Sequence, residues 1–176
     1  MRRSVVTISR SPTETRQFGA MLGRAARAGD VILISGQLGS GKTTLAQALA
    51  RALGVRRPVR SPSYLVASAY PVSRRSIRTF YHLDLFRLRR LSAVDAAVIS
   101  ETISDRQAVV LAEWADRLPG RLVPTWRRTS VRLTVQSERR RAIRVSGRLI
   151  RSVLARPGRR SSVSSVGRAR LRRRAA

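Results

Sequence analysis

The chain has no cysteine, a single histidine (His82) and a single lysine (Lys42) among its 176 residues. The first absence excludes a disulfide framework, a thiolate zinc site and a cysteine nucleophile. The lone histidine leaves no His-rich metal cluster and no second imidazole for a proton relay. Acidic side chains are also scarce, nine against 37 basic ones, for a formal charge of +28. No apolar run approaches the ~18 residues a membrane span needs. Met1-Arg2-Arg3 leads only into a short β-like run, Ser4 to Ile8, with no apolar stretch of signal-peptide length. A soluble, cytoplasmic protein is expected. Hydrophobic residues make up 43% of the chain, enough to build the core of one domain of common size.

The charge divides unevenly. Residues 151–176 carry nine arginines and no acid, which leaves 28 basic and nine acidic residues, or +19, in residues 1–150. Of the 37 basic residues 36 are arginine, a ratio that coding bias produces wherever any cation will serve. Under such a bias a surviving lysine marks a place that needs a compact ammonium rather than a planar guanidinium.

Lys42 lies in the run Gly36, Gln37, Leu38, Gly39, Ser40, Gly41, Lys42, Thr43, Thr44, which satisfies GxxxxGK[ST] at every specified position. An apolar strand, Val31 to Ser35, precedes it, and an Ala/Leu-rich amphipathic helix, Leu45 to Leu53, follows. This is the P-loop context. Glycines let the backbone turn around an anion with successive N–H groups aimed at it, and the helix adds its positive end. Lys42 is expected to reach the β- and γ-phosphates of a nucleoside triphosphate and Thr43 to ligate Mg²⁺.

A P-loop does not name a reaction. Magnesium held by Thr43 calls for a carboxylate nearby, and two of the nine acids end strand-like runs: Asp84, in Thr79 to Arg87, and Glu113, in Ala108 to Trp114. Either alone reads as a solvated loop acid. Together, at strand carboxyl ends in an open α/β sheet, they are candidates for metal and water.

Four motifs in order then carry a likeness: Gly-x-Leu-Gly-x-Gly-Lys-Thr-Thr, Ser61-Pro62-Ser63-Tyr64, Tyr81-His82-Leu83-Asp84-Leu85-Phe86-Arg87-Leu88, and Glu113-Trp114. With the Thr15-x-x-x-Gly19 helix and Gly29-Asp30 ahead of them, they resemble the TsaE (YjeE) family over roughly residues 5–150. The resemblance implies the small bacterial ATPase of tRNA threonylcarbamoyladenosine biosynthesis. That ATPase works with TsaD and TsaB, which modify adenosine 37 of tRNAs reading ANN codons, and it resets or sustains their complex. It further implies that ATP is held by Thr15, Gly36 to Thr44 and Trp114. Thr43, Asp84 and Glu113 would serve as metal ligands, and Lys42, Asp84 and Glu113 as the catalytic set. Trp114 would line the site or the partner surface. The family's usual Asp is Gln37 here, which can orient water but cannot accept a proton as a base. Slower hydrolysis, or another acid in its place, is therefore expected. Ser63 replaces a Thr, Ala115 a Pro and Phe86 a Tyr of the family pattern.

The remaining segments are read from pattern alone. Ser61 to Tyr64 is a turn that the likeness makes a candidate switch loop, followed by a strand from Leu65 to Tyr70. His82 is expected to be a hydrogen-bonded strand histidine rather than a general base, and Trp126 a packing residue. Residues 129–135 and 142–146 alternate as two strands of a hairpin around Ser137 to Arg141. Arg139 to Arg141 read as a solvated basic turn within reach of phosphate or tRNA. Leu91, Val94, Ala97 and Val98 recur at helical spacing and predict a core-facing helix stripe.

With the helices Thr15–Ala28 and Leu45–Leu53 against these strands, the expected fold is α/β, a three-layer P-loop NTPase fold with a central mixed sheet. Its domains would be a P-loop ATPase domain over residues 1–150 and an Arg-rich, disordered basic tail over 151–176, where breakers and arginines alternate. Any tRNA affinity of the tail would fall steeply with salt. Two other readings remain open, a P-loop kinase of a small metabolite and a basic RNA-binding protein with a regulatory nucleotide site.

Overall fold

In the computed structural model the described residues are 3–60, 66–74, 76–88, 90–119 and 122–154. The alternation of apolar residues builds seven strands: β1 (Ser4–Ser9), β2 (Val31–Ser35), β3 (Ala67–Arg74), β4 (Ile77–Asp84), β5 (Ala108–Glu113), β6 (Arg128–Val135) and β7 (Arg141–Gly147). They form one mixed sheet in the order β1-β7-β6-β2-β5-β4-β3. The four central strands β6, β2, β5 and β4 run parallel, and antiparallel pairs flank them on both sides.

The period-2 pattern sorts the two faces. Ile32, Ile34, Val109 and Leu111 point to one side, where helices α1 (Pro12–Ala25), α2 (Lys42–Leu53) and α4 (Ile150–Leu154) pack. Val31, Val110 and Ala112 point to the other, against α3 (Ala93–Ser104). The result is the expected three-layer α/β fold. Both faces of β5 are covered, and all six of its residues are buried. Among the described residues no helix is long and apolar enough to cross a membrane.

Helix α1 starts earlier than Thr15, because Ser11 caps it. The Ser11 hydroxyl accepts from Glu14 N at 3.1 Å, and Pro12 occupies the first turn, where no N–H is needed. It ends at Ala25, before the turn through Gly29. Gly19 and Gly23 face α2 so closely that a Cβ on either would run into the carbonyls of Leu45 and Leu49. A glycine every fourth residue on that face sets the distance between the two helices over the P-loop helix's own backbone.

Strand β3 extends beyond Tyr70 to Arg74. It tolerates Pro71 because it is an edge strand whose outer side needs no ladder partner. The β6–β7 hairpin forms as the alternation predicts, with Leu133 opposite Ile143. Helix α3 forms too, but the stripe assigned to its core side is wrong. Val94 (72% exposed), Ala97 and Val98 face outward, while Leu91, which does pack on the core, precedes the helix. Ile99, Thr102 and Ile103 face the sheet instead. A capping box between Ser92 and Asp95 sets where the helix starts, and packing of Ile99 and Ile103 on the sheet sets which face is buried. Helix α4 carries the packed body past residue 150, since Val153 joins the core. Residues 155–176 of the expected tail, Ser61 to Tyr64 of the expected switch loop, and Leu65 lie outside the described residues.

Candidate functional site

Strand β2 ends at Ser35, and the chain turns back on itself before entering α2 at Lys42. The turn needs its first glycine. Gly36 has φ 146°, and a side chain there would start 2.8 Å from Ser40 Oγ and run into the Leu133 carbonyl. Gly41 is the left-handed N-cap of α2 (φ 96°) and supplies no side-chain cap. The first-turn amides of a twelve-residue helix are therefore left to an outside acceptor, and an anion is the natural one. Gln37, Leu38 and Gly39 form the exposed tip, and Thr44 is half-buried in the first turn.

Lys42 is only 5% exposed. Its ammonium donates to Gly36 O at 2.8 Å and Gln37 O at 2.9 Å, folded into the loop it belongs to. The Trp114 ring lies 3.6 Å from Nζ, a cation–π contact. Burial lowers the Lys42 pKa below 10.5, and Glu113, Asp84 and Asp116 partly offset this by favouring the charge. The site thus keeps an under-solvated cation facing three carboxylates.

Two of those carboxylates end adjacent strands. Asp84 and Glu113 are register partners at the last positions of β4 and β5, beside the strand that feeds the P-loop. Glu113 is buried, and both of its oxygens are engaged. Oε2 accepts from Thr43 Oγ1 at 3.0 Å, and Oε1 meets His82 Nε2 at 3.0 Å. Asp84 Oδ1 accepts from Phe86 N at 3.0 Å. A model of the family "Threonylcarbamoyl adenosine biosynthesis protein TsaE" matches residues 9–143.

The chain belongs to the TsaE family.

Proteins named tRNA threonylcarbamoyladenosine biosynthesis protein TsaE are similar to it. The one from Nostoc sp. is 36% identical over 107 residues, 60% of this chain and 64% of that protein. For Mycobacterium leprae the identity is 38% over 118 residues, 64% and 72% of the two chains. For Treponema pallidum it is 30% over 115 residues, 65% and 82%. The match thus spans just under two thirds of the Nostoc protein's length. The crystal structure of Bacillus subtilis YdiB shares the fold, with a TM-score of 0.63 and 24% identity over 84% of this chain and 87% of that one.

In this TsaE-family chain Lys42, Thr43, Asp84, Glu113 and Trp114 converge. Thr15 stands behind the loop. Its hydroxyl bonds Ser9 Oγ at 2.8 Å and Ser11 O at 3.3 Å, and its methyl lies 3.7 Å from where a Gly41 side chain would begin. It props the turn from the protein side.

Other residues join the site in roles that the motifs did not assign. His82 is buried, as a hydrogen-bonded strand histidine should be, yet its partner is Glu113 itself. Its place two residues before Asp84 on an alternating strand was the available signal. Phe86 packs on Trp114 with ring centroids 4.8 Å apart. Arg117 holds the carbonyls of Leu85, Phe86 and Leu88, and Arg141, from the basic turn, reaches Gly39 O at 3.5 Å. Trp114 has φ 58°, the one positive φ of a non-glycine residue among those described, at a cost of about 1–3 kcal/mol. That strained turn is what swings its indole back over Lys42. Trp126 does not pack as expected. It is 62% exposed, because the turn before β6 points it away from the sheet.

Proposed function

We propose that the chain is a magnesium-dependent ATPase of the cytoplasm. It would serve as the accessory switch of a TsaD–TsaB complex that threonylcarbamoylates adenosine 37 of ANN-decoding tRNAs. One observation supports the reading above the others: the Thr43 hydroxyl and the Glu113 carboxylate, 70 positions apart in sequence, lie 3.0 Å from each other beside the P-loop lysine. In a P-loop the hydroxyl after the lysine and a strand-end acid are the protein's share of a magnesium shell.

The donor set fits that ion. Among the described residues no cluster of three or more His, Cys, Asp or Glu side chains could hold a metal alone. Mg²⁺ differs from a caged metal in this respect, taking one or two carboxylates and completing its octahedron with phosphate oxygens and water. When bound, it would supply positive charge that offsets the negative charge developing on the phosphates. Lys42 would exchange the Gly36 and Gln37 carbonyls for phosphate, and the uncapped amides of α2 would meet the same group. Glu113, fixed by His82, would hold its second oxygen toward Thr43, with Asp84 beside it to orient water. Gln37 sits on the exposed loop tip and cannot take a proton, so proton acceptance falls to these carboxylates. Trp114 and Phe86 would wall the lysine side from solvent.

The test is magnesium-dependent ATP hydrolysis by the purified chain, alone and with TsaD, TsaB and tRNA. Stimulation by the partners, abolished in Lys42→Ala, is the expected result. ATP binding with no hydrolysis under any of these conditions would overturn the switch role.

A further inference from the structure

The end of the sheet opposite the P-loop carries an arginine-lined pocket. The segments entering β2, β5 and β6 and the one leaving β7 meet there, roughly 15 Å from the P-loop if β2 rises ~3.3 Å per residue. Arg27, Gly29, Asp30, Arg106, Trp126, Arg127 and Arg148 are among the residues that line a cavity of about 380 Å³. That volume lies within the ~300–1,000 Å³ of small-molecule sites.

The four arginines divide into two pairs. Arg127 is buried, and its guanidinium donates to Gly29 O, to Ile103 O at 2.8 Å and to Asp105 O at 3.2 Å. One side chain therefore clamps the loops before β2 and β5. Arg148 is ion-paired with Asp30. Arg27 and Arg106 are exposed, and among the described residues neither guanidinium has an ion-pair partner. Trp126 is 62% exposed, with the guanidinium carbons of Arg106 and Arg127 at 5.7 and 5.8 Å from its ring centroid. A rigid frame thus presents a largely exposed indole flanked by the Arg106 and Arg127 guanidiniums, with Arg27 lining the same pocket.

We infer that this pocket binds an unpaired nucleotide of a single-stranded RNA, its base stacked on Trp126 and the adjoining phosphates on Arg27 and Arg106. The combination of a cationic track and an aromatic platform is what single-strand binders use, since every base offers a π-face and every linkage a phosphate. An acidic peptide would satisfy the arginines and leave the indole without a counterpart. The pocket shares no residue with the P-loop, so the inference stands whether or not the chain hydrolyses ATP.

The experiment measures binding of a fluorescein-labelled eight-nucleotide single-stranded RNA to the full chain over a range of salt. Trp126→Ala removes no charge. It should weaken binding about tenfold while leaving the slope of affinity against salt unchanged. Arg27→Ser with Arg106→Ser should lower that slope by about 1.4, the share of two phosphate contacts on a single strand. Trp126→Phe keeps a flat ring and should retain most of the affinity, which separates stacking from any loss of fold. Wild-type affinity in Trp126→Ala would overturn the inference, since the strand would then be held by the general basic surface. A polyglutamate peptide that loses affinity in Trp126→Ala while the RNA does not would overturn it in favour of an acidic partner.

Discussion

His82 Nε2 stands 3.0 Å from Glu113 Oε1, and both side chains are closed off from solvent. The register explains the contact. His82 lies opposite Leu111 and Asp84 opposite Glu113, so histidine and glutamate share one face of two adjacent parallel strands and meet diagonally. With Thr43 on its other oxygen, the carboxylate is held at both ends.

Removing either partner should therefore separate binding from turnover. Glu113→Ala is expected to keep ATP bound and to reduce hydrolysis by at least about 100-fold. His82→Ala should reduce kcat by about 10–100-fold, the usual effect of losing a residue that orients a metal-site ligand. KM for ATP should change little, and His82→Gln should recover part of the loss. Steady-state kinetics with equilibrium nucleotide binding on the same samples decides it. Full hydrolysis in Glu113→Ala would strike that residue from the catalytic set.

Lys42 gives the site a pH limit. Its ammonium must be charged to hold phosphate, and burial already lowers its pKa below 10.5. ATP affinity should therefore begin to fall on the alkaline side earlier than an ordinary lysine would dictate. Bound phosphate favours the charged form, so binding at those pH values should take up protons. Titration calorimetry in two buffers of different ionisation enthalpy measures the uptake, and zero uptake across the alkaline range would contradict the assignment.

Gly23 sets a packing limit. A valine there must force α1 away from the Leu49 carbonyl of α2, and overpacking of this kind costs about 1–3 kcal/mol, more where backbone stands in the way. A loss of about 3 kcal/mol would lower the melting temperature of a body this size by roughly 6–12 °C. The apparent ATP affinity should fall with it, because α2 carries Lys42 and Thr43. An unchanged melting curve would show that the helices separate at no cost.

Much of this architecture could be read from local pattern. Val31 to Ser35, Ala108 to Glu113 and the β6–β7 hairpin announce themselves by apolar alternation or continuity, and the P-loop by its glycines. Asp84 and Glu113 were legible as strand-end acids. The phase of α3 was not, because two apolar stripes one residue apart compete and only packing against the sheet, through Ile99 and Ile103, decides between them. The link from His82 to Glu113 depends on strand register, which no single segment contains. The left-handed turn at Trp114 and the exposure of Trp126 arise where chain segments from distant parts of the sequence meet.

The strand order also bears on how the chain is made. Strand β1 pairs with β7, Ser4 opposite Ser146, and β2 lies between β5 and β6. Every neighbour of the first two strands is thus translated long after them. The nucleotide site has no Glu113 wall until β5 is made, and β1 waits longer for its partner. Such non-local pairing delays folding. On the ribosome β1 and β2 emerge without their neighbours, only the β3–β4 hairpin can pair within the amino-terminal half, and nucleotide cannot help to hold that half until β5 has been made.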